Sequence, residues 1–306
     1  NTDGRPTFGG LYAMKEETRQ ELLANPLRQN INQSTGEVNG ALYEADFLDA
    51  SDFEKVQTRK NVANTSANMV AKIDVKTSDL VSLTFGGNAA YSKGHSFSYA
   101  NSLMNWDNNQ LNTSLTWRAY TKFSQRFQAQ EGEANDGGLK NVYYSVMVDY
   151  SKSTARSEDD THLDNYMRYG HVGNFDVKTR NDYEFDPMAQ VFRHSGWEDT
   201  AVYFMPSQYN GDLAAITNQY FNLFDRPAYD ESVDGPYDNL LEVQNSALLN
   251  GQEPIETYGL WSYLGTQNNS FSKSDNTQFR ISAAGSADIG EHALQVGFEY
   301  EQRRDA

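Results

Sequence analysis

From Ala67 to Ser92 the sequence alternates between apolar and polar residues, and this alternation constrains the fold more than any other feature of the chain. Met69, Ala71, Ile73 and Val75 share one parity, and Asn68, Lys72, Asp74 and Lys76 share the other, with Val70 out of phase. Thr77 to Asp79 form a tight turn. The returning segment places Val81, Leu83, Phe85, Ala89 and Tyr91 on one face and Ser82, Thr84, Asn88 and Ser92 on the other. A period of two on both sides of a short turn predicts a β-hairpin. Its strands are long: globular strands usually run ~5–6 residues, whereas crossing a bilayer at a tilt takes ~9–11.

The pattern recurs. Leu115, Trp117, Ala119, Phe123 and Phe127 alternate with Arg118, Lys122, Ser124 and Arg126. Val142, Tyr144, Val146, Val148 and Tyr150 alternate with Tyr143, Ser145, Met147 and Asp149. A weaker strand is expected over 169–177, with His171 on its apolar face, and a short one over 200–206. The final hairpin pairs Phe279, Ile281, Ala283 and Gly285 with Leu294, Val296, Phe298 and Tyr300 across the turn segment DIGEH. Helices are expected over 16–26 and near 213–224, where apolar residues recur at helical spacing.

The connections sort by length. The turns at 77–79 and DIGEH are short; 93–113, 152–166 and 207–274 are long, polar and rich in Asn, Asp and Gly. Short turns on one side and long loops on the other describe an outer-membrane barrel. The fold expected is therefore all-β: an antiparallel transmembrane β-barrel with long extracellular loops. Residues 1–66 are read as a loop region with a short helix, 67–206 as barrel strands with their connections, 207–274 as a long extracellular loop and 275–306 as a barrel hairpin. A soluble secreted all-β binding module stays open as an alternative.

Composition sharpens this. The net charge of −17 argues against a nucleic-acid partner, because phosphate binding needs a basic surface. Mean hydropathy is −0.74, yet aromatics reach 13%, far from the composition of a disordered acidic chain. Barrel strands show only half their residues to lipid and so read as polar.

Catalytic signatures are absent. The chain has no cysteine, its five histidines form no HExxH pair, and no G-x-S-x-G elbow occurs, so no enzyme activity is expected. Two weaker features remain. Asp230, Asp234 and Asp238 occupy positions one, five and nine of a calcium-hand spacing, but Leu241 stands where the bidentate Glu belongs. Any Ca²⁺ or Mg²⁺ there would be loosely held, and no other cofactor is expected. Trp106, Tyr229, Tyr237 and Trp261 lie in long loops, where aromatic rings suit stacking on a sugar or peptide ligand.

The stretches ANPLRQN, LYEADFLDASDFEKVQTRKNVANTS, AKIDVKTSDLVSLTFGGNAAYS, WRAYTKFSQRF, ITNQYFNLF, LLNGQEPIETYGLW and TQFRISAAGSADIGEHALQVGFEYEQR give the chain a further likeness. It resembles the barrel portion of Bacteroidota TonB-dependent outer-membrane receptors of the Oar-like type, which carry a carboxypeptidase-regulatory-like domain. The resemblance implies a bacterial outer-membrane location and energy-dependent import of a glycan, peptide or metal chelate. It also implies lipid, a plug domain and TonB acting through the plug as partners, and leaves a surface lipoprotein open as a further one. Such barrels have 22 strands. About seven are legible here, with no plug or TonB-binding segment, so the chain is expected to be an interior piece of a longer polypeptide. A barrel serving secretion or surface assembly is the alternative function.

Overall fold

The computed structural model describes residues 10–36, 38–127, 139–223 and 248–306. The chain folds into two compact units. The first comprises Asn1–Val62, Ser96–Gln110 and Asp159–Asn269, and the second comprises Ala63–His95, Leu111–Glu158 and Ser270–Ala306. The protein is mostly β, with antiparallel sheets; among the described residues no helix is long and apolar enough to cross a membrane, and no sheet closes on itself.

The second unit is one six-stranded antiparallel sheet. Its strands are β5 (Asn64–Lys76), β6 (Val81–His95), β7 (Leu111–Arg126), β8 (Leu139–Glu158), β11 (Ser272–Ile289) and β12 (His292–Arg304), in the order β12-β11-β8-β7-β6-β5. They run 13, 15, 16, 20, 18 and 13 residues. β5 to β8 pair without a register shift, so side-chain parity is carried unbroken across those strands. The long connections all leave from one end of the sheet, where Asn64 faces Gly94, Leu111 faces His95 and Ser157 faces Ser272.

The expected alternation is realised as two contrasting faces. One carries Ile73, Phe85, Val148, Ile281 and Tyr300 in a single cross-strand row, flanked by Val75, Leu83, Phe123, Val146, Ala283 and Phe298 in the next. Lys72, Asp74 and Lys76 project from the opposite face, as the period of two requires. The apolar face is uncovered within the unit: Met69, Ile73, Val296 and Phe298 are all more than 60% exposed. Among the described residues of these strands, the buried hydrophobic is Leu111, at the long-connection end of β7.

The first unit holds an ordinary apolar core. It contains β1 (Leu11–Met14), α1 (Glu16–Ala24), β2 (Leu27–Ile31), β3 (Val38–Tyr43), β4 (Phe53–Val56), β9 (Gly173–Asp186), β10 (Val191–Pro206) and α2 (Gly211–Asn222). β1 pairs with β4, β2 with β3 and β9 with β10, each as a two-stranded sheet. Met14, Leu22, Leu27, Met104, Val172, Leu213, Ile216 and Tyr263 pack into one buried cluster. α1 begins with Glu16 and Glu17 at its positive end and stops at Asn25, just before Pro26. α2 starts where Asn210 Nδ2 donates to the carbonyls of Arg168 (2.6 Å) and His171 (2.9 Å).

Four local expectations are corrected. The stretches 93–113, 152–166 and 207–274, expected as loops, overlap strands: β6 runs to His95, β7 starts at Leu111, β8 runs to Glu158 and β11 starts at Ser272, because their polar ends are paired in the sheet. Residues 1–66 contain short strands as well as the helix. The weaker strand begins at Gly173, not at Tyr169: Gly170 at φ +65° closes a turn, and His171 belongs to that turn and not to an apolar strand face. The short strand expected over 200–206 is the end of a 16-residue strand, β10, paired with β9 through bulges at Ser195 and Thr200. Those bulges break the sequence period, which is why the strand reads short.

Candidate functional site

The polar face of the six-stranded sheet is where charge is most tightly organised. Parity along β7, β8 and β11 turns Arg118, Asp149 and Arg280 toward this face. Asp149 is only 3% exposed, although it stands on a sheet with no covering layer in its unit. Two guanidiniums bury it: Arg118 Nη2 donates to Oδ2 at 3.1 Å and Arg280 Nε donates to the same oxygen at 2.9 Å. Arg280 Nη1 also lies 4.0 Å from Glu299 on β12. Toward the other edge, Lys72 Nζ sits 2.9 Å from Asp74, which accepts from Thr84 Oγ1 at 2.6 Å.

Aromatic rings fill the gaps. Tyr120 lies over Gly86, where a Cβ would collide with the ring, and the Arg118 guanidinium stands 5.6 Å from the Tyr120 centroid. Gly87 is close-packed differently: a Cβ there would meet the Arg118 carbonyl oxygen at 2.6 Å. The Gly86–Gly87 pair therefore lets a large ring and a neighbouring backbone approach β6 from its two sides.

At the long-connection end, the same face forms a shallow depression of about 240 Å³. Ser92, Asn112, Ser114, Ser157, Ser272 and Ser274 line it from this face, and the chain at Thr113, Arg156 and Lys273, residues of the opposite parity, completes the lining. Its polar groups are pre-paired, with Ser157 Oγ donating to Asn112 Oδ1 at 2.7 Å and Ser92 Oγ to Asn64 Oδ1 at 3.2 Å. Hydroxyls and amides of this kind suit hydrogen bonding to a polar, uncharged ligand. No nucleophile and base are brought together there.

The first unit has a polar groove of about 420 Å³, lined by Arg19, Asn61, Asp107, Asp160, Asp212 and Gln267 among others. Arg19 Nη2 pairs with Asp107 at 2.7 Å. Below it, His162 is 1% exposed, and its Nε2 lies 2.6 Å from Asn210 Oδ1 and 3.1 Å from Gln267 Oε1. Two carbonyl-type oxygens around one ring nitrogen assign the proton to Nε2 and make this histidine a structural anchor. Asp159 accepts from the backbone N–H groups of Thr161 (3.1 Å) and His162 (2.9 Å), yet burial pushes its carboxyl above the ordinary range. Burial also pushes the Tyr263 phenol up, while its hydroxyl donates to the Pro26 carbonyl at 2.6 Å.

Of the loop aromatics named from sequence, Trp106 is 7% exposed within the apolar core, with Lys60 Nζ 4.2 Å above its ring. Trp261 is half-buried at the edge of that core, 6.4 Å from Tyr99. Tyr229, Tyr237, Asp230, Asp234 and Asp238 lie outside the described residues. Among the described residues no group of three or more His, Cys, Asp or Glu side chains is arranged to hold a metal. The Arg118–Asp149–Arg280 cluster was not singled out from sequence. Its signal was a set of ionisable residues at mid-strand on the polar parity, legible only once β11 is known to lie beside β8.

No protein-family model, curated protein or solved structure matches this chain.

Proposed function

We propose that this chain forms consecutive strands of a transmembrane β-barrel wall in a bacterial outer membrane. The observation that carries the reading is the inversion of the six-stranded sheet: its apolar-face side chains are exposed or half-buried and its most deeply buried mid-strand group is a carboxylate. A water-soluble sheet must bury its apolar face against another layer. A barrel wall turns that face to lipid and its polar face to a hydrated lumen. Dimensions support this. On β6 the apolar parity runs from Val81 to Tyr91, which at ~3.4 Å per residue and a ~45° tilt gives a band about 24 Å tall, close to the ~25 Å of outer-membrane barrels. Trp117 and Tyr150, 5.4 Å apart, lie near one border of the band, and Tyr144 and Phe127, 6.1 Å apart, near the other. That is where aromatic girdles form.

Within this reading the chain is part of a TonB-dependent receptor importing a ligand into the periplasm. The sequence likeness supports the family, and the serine-lined depression at the long-connection end suits a ligand vestibule. The plug and TonB contact would come from outside this chain. The test is fractionation of cells expressing the full-length protein. The proposal expects recovery in the outer membrane, extraction only by detergent, and loss of ligand uptake when TonB is removed. Release into aqueous buffer overturns the membrane reading; outer-membrane recovery with TonB-independent uptake overturns the receptor reading alone.

A further inference from the structure

A row of cations borders the apolar face at the end from which the long connections leave. The register sets Lys93 opposite Thr113, Thr113 opposite Arg156 and Arg156 opposite Lys273. Alternation puts all four on the same face as Leu83, Phe85, Val148 and Ile281. The row continues on β5 to Thr65 and contains no carboxylate. Arg156 and Lys273 are direct cross-strand neighbours, and like charges so placed repel. Two carboxylates share this end of the face. Asp275 is already bridged by Lys152 Nζ at 2.9 Å, and Glu158 is buried at 5% exposure. With both counted, the border keeps a positive excess, in a chain whose overall charge is −17.

The position of the row gives the excess a meaning. The next row inward is Tyr91, Leu115, Thr154 and Asp275, and the one after it contains Trp117 beside Lys152. Tyr91 and Leu115 are 37% and 41% exposed. The cations therefore stand one step beyond an exposed apolar and aromatic border, on the side facing lipid in the barrel reading. At the opposite end of the sheet the turns carry Asp79, Asp288 and Glu291, and the cations there, Lys76, Arg126 and Lys140, lie on the polar parity, Lys140 directly opposite Asp288, so the apolar face has no matching row of cations at that border. The asymmetry matches a membrane whose anionic headgroups lie at the long-connection border.

We infer that Lys93, Arg156 and Lys273 form a binding site for the phosphate of a lipid headgroup, with the acyl chains lying along Tyr91, Leu115 and Trp117. A phosphate between Arg156 and Lys273 removes their repulsion and accepts charge-assisted hydrogen bonds from both. The planar guanidinium provides a two-pronged contact, and the lysines provide point charges. The row spans three interstrand steps of ~4.8 Å, or about 14 Å, enough for a headgroup with more than one anionic oxygen cluster. This inference rests on the membrane reading above.

The test uses the full-length protein in detergent micelles, titrated with phosphatidylglycerol, phosphatidylcholine and inorganic phosphate, with bound lipid counted by native mass spectrometry. The wild-type chain should retain phosphatidylglycerol in preference to phosphatidylcholine and show no affinity for inorganic phosphate at matched concentration. Arg156→Gln with Lys273→Gln should weaken phosphatidylglycerol binding about 30-fold. Arg156→Lys should keep most of the binding, and Lys122→Gln, on the polar face, should leave it unchanged. Equal binding by the double variant and the wild type overturns the site. Equal binding of inorganic phosphate makes it a free-anion site and overturns the lipid assignment. A protein that stays monomeric in aqueous buffer without detergent removes the membrane reading and this inference together. Membrane insertion with unchanged lipid preference removes this inference only.

Discussion

Asp149 on β8 and Arg280 on β11 stand directly opposite each other and share a hydrogen bond of 2.9 Å from Nε to Oδ2. Arg118 donates to the same oxygen from the other side, so one carboxylate is shared by two guanidiniums in the middle of a polar sheet face. Removing the carboxylate leaves two neighbouring cations without their shared counter-charge, with Glu299 at 4.0 Å from Arg280 as a weaker one. Asp149→Leu is expected to destabilise the sheet by about 2 kcal/mol, below the usual cost of breaking a buried pair because both arginines are partly solvated. Arg118→Met should cost less, since Asp149 keeps its second partner. Chemical denaturation of the refolded protein in detergent checks both, and a larger loss for Arg118→Met would remove Asp149 from the centre of the cluster.

Ile73 and Val70 lie close together on β5 with opposite parity, and both are highly exposed within the unit, at 65% and 83%. An isolated aqueous sheet would accept an arginine equally at either position. A barrel wall would not: Ile73→Arg places a charge in lipid at a cost of about 2–4 kcal/mol, whereas Val70→Arg points into water. Membrane assembly, followed by heat-modifiable migration on gels, should fail or slow for Ile73→Arg and proceed for Val70→Arg. Equal behaviour of the two would count against lipid on the Ile73 face.

Gly86 and Gly87 differ in what blocks a side chain. At Gly86 the obstacle is the Tyr120 ring, which can rotate away; at Gly87 it is the Arg118 carbonyl, fixed by the β6–β7 ladder. Gly87→Ala should therefore destabilise by about 1–3 kcal/mol, and Gly86→Ala by less. The same denaturation measurement decides, with the reverse order as the failing result.

Asp159 is 3% exposed, and burial holds its carboxyl pKa above the ordinary 3.8. A raised acid binds its proton more tightly in the folded state, so its contribution opposes folding above the folded pKa. That penalty fades as pH falls through the folded pKa, and it is gone below the unfolded value of 3.8. Asp159→Asn keeps an oxygen acceptor for Thr161 and His162 while removing the charge. It should raise the melting temperature of the first unit at neutral pH, and the gain should vanish in acid. A gain that persists below the unfolded pKa would show that charge is not its source.

Much of the second unit was readable from the chain alone. Strand identity and two-faced character at β5, β6, β7, β8, β11 and β12 follow from a period of two, because each residue on a pleated strand has its face set by parity; full length does not, since β8 runs on to Glu158 and β11 starts at Ser272 through polar stretches that read as loop. The helix starting at Gly211 was likewise legible in the spacing of Leu213, Ile216 and Tyr220. β10 was not, because its bulges at Ser195 and Thr200 shift the period mid-strand. Nor was the burial of Trp106: a tryptophan in a polar loop reads as exposed until distant Met14, Leu213 and Tyr263 are packed against it. Only tertiary structure could set β11 beside β8, across more than a hundred intervening residues, and so bring Arg280 to Asp149 and Lys273 to Arg156. Periodicity is a local property, carried by each strand's own geometry. Which strand lies next to which is decided by pairing between segments far apart in the chain, and the charges that matter here meet only across those pairings.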